Sequence, residues 1–291
     1  MAHGKADVAE TLAEGSRQIA QFNWERAHRL YADALESSEA GSVPWQEAAF
    51  GAATALQHKS PASAEAMAEA GRLFEQLVDP KLNSRFAARS LIGLGRLAEL
   101  RDYYGDRIDL PGARAHYAAV IERFPNDEVA AEASLRLASA FVQSYKPDDV
   151  KAGIAVLERY LSGHPNGPLA SAMWQYLGDT YFYPLADDRK ALDAYVKADR
   201  LGWLDDSDIG RVWWRMAQLG ERIGDRSAAV EFYTKIVTDA AVSGKGYESQ
   251  VALKRLGAPV PQIGLTAPAP ARPTTVPAAA PATNPAGGRN G

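Results

Sequence analysis

The sequence predicts an all-α superhelix of six stacked helix pairs, closed by a capping helix and followed by a proline- and alanine-rich disordered tail. Three observations predict it. A small residue is followed four positions later by a bulky one and seven positions later by another apolar one. This stripe occurs as Ala27-Tyr31-Ala34, Ala70-Phe74-Leu77, Ala113-Tyr117-Val120, Gly153-Leu157-Tyr160, Ala191-Tyr195-Ala198 and Ala229-Tyr233-Ile236, with steps of 43, 43, 40, 38 and 38 residues. Self-similarity at 20–50 residues marks stacked units, none of which can bury its apolar face alone. The breaks agree, since Phe124-Pro125-Asn126-Asp127 and His164-Pro165-Asn166-Gly167-Pro168 lie 40 residues apart. Finally, residues 257–291 hold eight of the 17 prolines and only two charges, Arg272 and Arg289. Such a segment lacks backbone donors and buries too little to offset its ordering entropy.

The elements follow in order. The repeat domain covers residues 8–256, in units of about 8–40, 44–80, 83–125, 127–165, 167–203 and 207–240, with a cap at 245–256. Ser42-Val43-Pro44 and Asp79-Pro80 break the chain near the second unit, because proline stops the preceding helix. Asn or Asp then caps the next helix, and Pro168 suits a first helical turn. In the fifth unit, helix A runs from Pro168 to Tyr183 with Trp174, Leu177, Gly178 and Tyr181 on one face. Helix B runs from Asp188 to Leu201, and its Ala191, Tyr195 and Ala198 fall within a stripe about 60° wide. The small residue lets two backbones approach, and the ring fills the space between the helices. The sixth unit repeats this with Trp213, Met216, Ala217 and Gly220, then Ala229, Tyr233 and Ile236, with Gly224-Asp225 as the turn. A last helix, Lys245 to Leu256, covers the open apolar edge, as a terminal repeat requires.

Composition narrows the function. Thirty-two Lys and Arg are scattered among 36 Asp and Glu for a net charge of −4, so no clustered cationic face offers itself to nucleic acid. There is no cysteine, which excludes disulfides, thiolate metal sites and cysteine nucleophiles. His3, His28, His58, His116 and His164 are far apart and give no metal-ligand spacing, so neither metal nor cofactor is expected. No apolar run is long enough to span a membrane. The first residues carry no signal-peptide pattern, so the chain as written is expected in the cytoplasm, or in the periplasm if a leader has been removed.

These residues resemble tetratricopeptide repeats. Trp174, Leu177, Gly178 and Tyr181 with Ala191, Tyr195 and Ala198 follow the pattern of that family. Leu91, Leu94, Gly95 and Ala98 with Ala113, Tyr117, Val120 and Pro125 do so too, as do Leu137, Ala138 and Phe141 with Gly153, Leu157, Tyr160 and Pro165. The first two units keep only Gly15 and Phe50-Gly51 of helix A, and the spacing exceeds the usual 34 of the family. Ile121-Glu122-Arg123-Phe124-Pro125-Asn126 and Leu157-Glu158-Arg159-Tyr160 look like phrases of the bacterial envelope members, such as outer-membrane assembly lipoproteins and periplasmic cell-division coordinators. The resemblance implies a right-handed superhelix whose concave wall is built from helix A. Its groove residues would be Arg96, Gln143, Gln175, Asp179, Phe182, Trp214, Gln218 and Arg222, joined by Ile92, Leu100, Leu135 and Ser139. Phe182 and Trp214 stand out, since Trp214 cannot share a face with its neighbour Trp213 and is either a peptide anchor or packed on an adjacent unit. The cationic clamp that grips C-terminal carboxylates is missing, because its places hold Leu12 and Ser16, Ala48 and Ala52, and Ile92 and Arg96.

Asp148-Asp149, Asp187-Asp188 and Asp205-Asp206 read as helix caps rather than an acid–base pair, because adjacent residues do not converge on one bond. The aromatic loop Asp102-Tyr103-Tyr104-Gly105-Asp106-Arg107 is a candidate binding loop or a passive insertion. No nucleophile elbow or phosphate loop is present. The expected function is therefore non-catalytic: a scaffold or adaptor that holds a peptide or protein partner in its groove. The alternatives are an α/α-toroid enzyme acting on glycans and a self-assembling structural protein.

Overall fold

The computed structural model describes residues 7–100, 108–205, 207–240 and 243–262. Among these residues there are thirteen α-helices, one short 3₁₀ turn and no strand. The chain forms two compact units that divide between Leu204 and Asp205.

The first unit holds ten helices: α1 (Val8–Ala20), α2 (Trp24–Ser37), α3 (Val43–His58), α4 (Ala64–Val78), α5 (Ala87–Ala98), α6 (Leu110–Arg123), α7 (Ala130–Val142), α8 (Pro147–Gly163), α9 (Ala170–Phe182) and α10 (Asp188–Leu201). Each packs on the next in chain order, and α1 also touches α3, which touches α5. The starts are chemical. Asp7, Ser42, Ser63, Asp109 and Asp187 each accept a bond from a backbone N–H of the first turn. Pro44, Pro111 and Pro147 stand at the first helical positions, where no N–H is missed. The second helix of the fifth pair starts and ends where the stripe places it, at Asp188 and Leu201.

Two differences have local causes. α9 begins at Ala170, leaving Pro168 outside, because the Ala170 N–H closes a turn on the Gly167 carbonyl first. α7 begins at Ala130, and Asp127 caps the approach by accepting from the Val129 N–H.

The core follows the stripe. Ala27, Tyr31 and Ala34 pack with Leu12, Ala48, Ala52 and Ala55 of the neighbouring helices. Phe74, Tyr117 and Val120 join Leu56, Leu91, Leu94, Ala133 and Leu137 in a cluster that runs through the second, third and fourth pairs. The bulky rings fit because the facing residues have no side chain. A Cβ at Gly15 would lie 2.8 Å from the Tyr31 ring, and one at Gly51 only 2.4 Å from it, so Tyr31 is held between two bare backbone surfaces. The fourth pair departs from the sequence reading. Leu157 takes the ring position, and Leu161 is buried where Tyr160 was expected to be. Tyr160 is half-buried and stacks on His164 at 4.4 Å.

The second unit holds α11 (Ile209–Arg222), α12 (Arg226–Asp239) and α13 (Gly246–Arg255). α11 packs on α12, and α12 on α13. Met216, Ala217, Leu219, Ala229, Phe232, Tyr233, Ile236 and Leu253 are buried. Gly224 makes the α11–α12 turn with φ of +76°, a conformation that glycine takes without strain. α13 is tied to α12 by Arg226, which donates to the Leu256 carbonyl at 2.6 Å.

Candidate binding groove

In the first unit α3 packs on α5, and residues at the start of α7 lie beside them. A pocket of about 190 Å³ opens there, lined by Phe50, Thr54, Gln57 and His58 from α3, by Arg89, Ile92 and Arg96 from α5, and by Glu132 from α7. Arg96 points its guanidinium at the His58 ring, Nη2 to Nε2 3.5 Å, so Arg96 donates and His58 accepts. Burial first, and then the Arg96 charge, push the His58 pKa down, which keeps the ring neutral and able to accept. Gln57 donates to the Gly93 carbonyl at 3.0 Å and ties α3 to α5. Arg89 pairs with Glu128 at the rim.

The other groove candidates lie elsewhere. Gln143 is exposed and donates to Ser139 at 3.0 Å. Asp179 accepts from the Tyr195 hydroxyl at 2.6 Å. Gln175 is half-buried beside it on α9, and Phe182 packs edge-on against Tyr183 at 4.8 Å. In the second unit, Trp214, Gln218 and Arg222 do come together. They line a pocket of about 420 Å³ with Glu221, Tyr233, Glu248, Val251 and Arg255. Trp214 is half-buried, packs edge-on against Tyr233 at 5.3 Å, and carries Lys245 over its ring. Of the eight candidates, Trp214, Gln218 and Arg222 thus share one pocket and Arg96 lines another, while Gln143, Gln175, Asp179 and Phe182 line neither of these two. The sequence reading missed Thr54, Gln57 and His58, because the second pair keeps too little of the helix A pattern to give their register, and it missed Glu132 one turn before Leu135 on α7. The loop 101–107 lies outside the described residues.

Buried phenols run along the helix pairs. Tyr117 donates to Glu99 at 2.7 Å, Tyr181 to Glu158 at 3.1 Å, and Tyr233 to Glu221 at 2.7 Å. Burial pushes the Tyr181 pKa up to about 12, with the charge of Glu158 adding to it. Burial, and then the bonds to Glu99 and Glu221, raise Tyr117 and Tyr233 as well. A raised folded pKa stabilises fully below the unfolded value near 10 and loses that contribution as pH climbs through the folded value. The fold should therefore weaken between pH ~10 and ~12, read by denaturant melts at pH 9 and pH 11 alongside tyrosinate absorbance. Equal midpoints at the two pH values would contradict it.

The acidic pairs are engaged locally. Asp149 holds Arg114 at 2.8 Å rather than capping α8, and Asp187 caps α10 through the Lys190 N–H. Asp205 accepts from the Ser207 N–H, while Asp206 lies outside the described residues. Among the described residues, no three of His, Asp and Glu gather so as to hold a metal ion, and no helix is long and apolar enough to cross a membrane. No protein-family model matches the chain, and no curated protein matches it.

Proposed function

We propose that the chain is a non-catalytic scaffold, a tetratricopeptide-like right-handed superhelix that holds a peptide or protein partner. The observation that carries this reading is the wall of α3, α5 and α7 around Arg96, where Thr54, Gln57, His58 and Glu132 surround an apolar floor of Phe50, Ile92 and Val129. Binding pockets pair an apolar lining with a few placed polar groups. The groups here are already braced by the Gln57–Gly93 and Arg96–His58 contacts, so a partner meets a preformed surface and the scaffold loses little freedom on binding. The stripe residues are used up in the core, which leaves the helix A faces for contact.

Selection from a random peptide display library against the full chain tests it. Selected peptides should bind at micromolar strength and lose at least about tenfold on Arg96→Glu, which replaces a hydrogen-bond donor by an acceptor-only carboxylate and breaks the Arg96–His58 contact. Lys151→Glu, on the exposed face of α8, should leave affinity unchanged. Failure to enrich any peptide, or equal loss from both substitutions, counts against the groove.

A further inference from the structure

The turn between α1 and α2 carries an exposed ring on a left-handed backbone. Phe22 adopts φ of +58°, in the left-handed region, with its side chain 76% exposed. A bulky residue is strained there. The corresponding turns use Tyr145 at +56° between α7 and α8, Ala186 at +50° between α9 and α10, and Gly224 at +76° between α11 and α12. The strain is offset by almost no burial, and what separates Phe22 from the equally exposed Tyr145 is the row of rings it starts.

The ring belongs to a row. Phe22 meets Trp24 edge-on, with centroids 5.9 Å apart and planes at 71°, so the two frame a notch. Trp24 stacks on His58 at 4.8 Å and 25°. His58 in turn accepts from Arg96, so the row passes from the first helix pair through the second to the third and leads into the groove around Arg96. Its hydrogen-bonding character is one-sided. Among the described residues the Trp24 indole N–H has no acceptor within the chain, and Arg96 has donors to spare. The row therefore offers flat rings and N–H groups.

One peptide chemistry fits such a surface. A proline-rich segment has few N–H groups to satisfy, turns its carbonyls outward as acceptors, and is already extended, so it loses little entropy on docking. Proline rings also seat in notches between aromatic side chains. The local charge selects further, because residues 7–40 carry seven carboxylates (Asp7, Glu10, Glu14, Glu25, Asp33, Glu36 and Glu39) against three arginines (Arg17, Arg26 and Arg29), and the face stays net acidic when Lys59, paired with Glu25, and Arg96, beside His58, are added. That field repels phosphate and favours basic flanks. We propose that Phe22, Trp24 and His58 form a shelf that docks a proline-rich, basic segment of a partner protein. The inference deepens the scaffold reading and rests on it.

The test is fluorescence anisotropy of a labelled peptide of repeated Ala-Pro-Pro-Arg against the full chain. The proline peptide should bind, and its all-alanine counterpart should bind at least about fivefold more weakly. Phe22→Gly should weaken binding by at least about fivefold while leaving the melting temperature unchanged or higher, since glycine takes this backbone without strain. Trp24→Phe, which keeps a ring and removes the N–H, should weaken it as well. Tyr145→Gly, at the other exposed left-handed aromatic, with φ of +56°, should leave affinity unchanged. No binding of the proline peptide, equal binding of the alanine peptide, or wild-type affinity in Phe22→Gly overturns the proposal. So does preferential binding of a single-stranded oligonucleotide to the same residues. If proline-free display peptides still bind and are lost in Arg96→Glu, only the shelf falls. If neither class binds, the scaffold reading falls with it.

Discussion

Replacing Tyr195 by alanine is expected to cost ~3–5 kcal/mol of stability, the range for a large ring truncated to a methyl in a packed interior. Tyr195 is 0% exposed, and its ring lies where a Cβ at Gly178 would come within 2.6 Å, so the space it fills is shaped by α9 and closed to water. Its hydroxyl donates to Asp179, so the truncation also removes a hydrogen bond to a charged group. Denaturant melts check it, and Tyr195→Phe, which keeps the ring, should cost far less. A loss below about 0.5 kcal/mol for the alanine variant would mean that the stripe is not core.

Gly51→Ala should destabilise although alanine is the better helix former. Helix propensity favours alanine by about 1 kcal/mol. Against it, the new methyl carbon would lie 2.4 Å from the Tyr31 ring, and the ring cannot retreat, because Gly15 closes its other face. Overpacking of this kind costs roughly 1–3 kcal/mol and occasionally more. The clash should win because both faces of Tyr31 are blocked. Gly163→Ala supplies the opposite sign, since nothing lies within 4 Å of that position and only propensity acts. A melt in which both variants gain stability would show that Tyr31 has room to move.

The helices were legible because their signal is periodic and local. Ala191, Tyr195 and Ala198 lie within one narrow stripe, and all three are buried. Where the signal depended on one side chain against its neighbour, it was weaker. Tyr160 and Leu161 are both large and apolar at adjacent positions, and Leu161 goes inside while Tyr160 stays half-buried against His164. Trp213 and Trp214 raised the same question, and both are half-buried, with Trp214 turned onto Tyr233. The row from Phe22 to Arg96 could not be read at all. It joins residues from a turn and three helices, and its starting point is a left-handed backbone that phenylalanine gives no reason to expect. Arg96 was placed on the wall by its register in α5, yet its partner His58 lies 38 residues earlier, in a pair whose pattern is faint.

Hydrogen–deuterium exchange of the full chain, with and without a display-selected peptide at saturation, tests the central claim most directly. A scaffold that binds through its odd-numbered helices should gain protection at residues 54–58 of α3, 89–96 of α5 and 130–136 of α7, with α4, α6 and α8 unchanged. Protection confined to α4, α6 and α8, or none at any helix of the first unit while the peptide is bound, would contradict it.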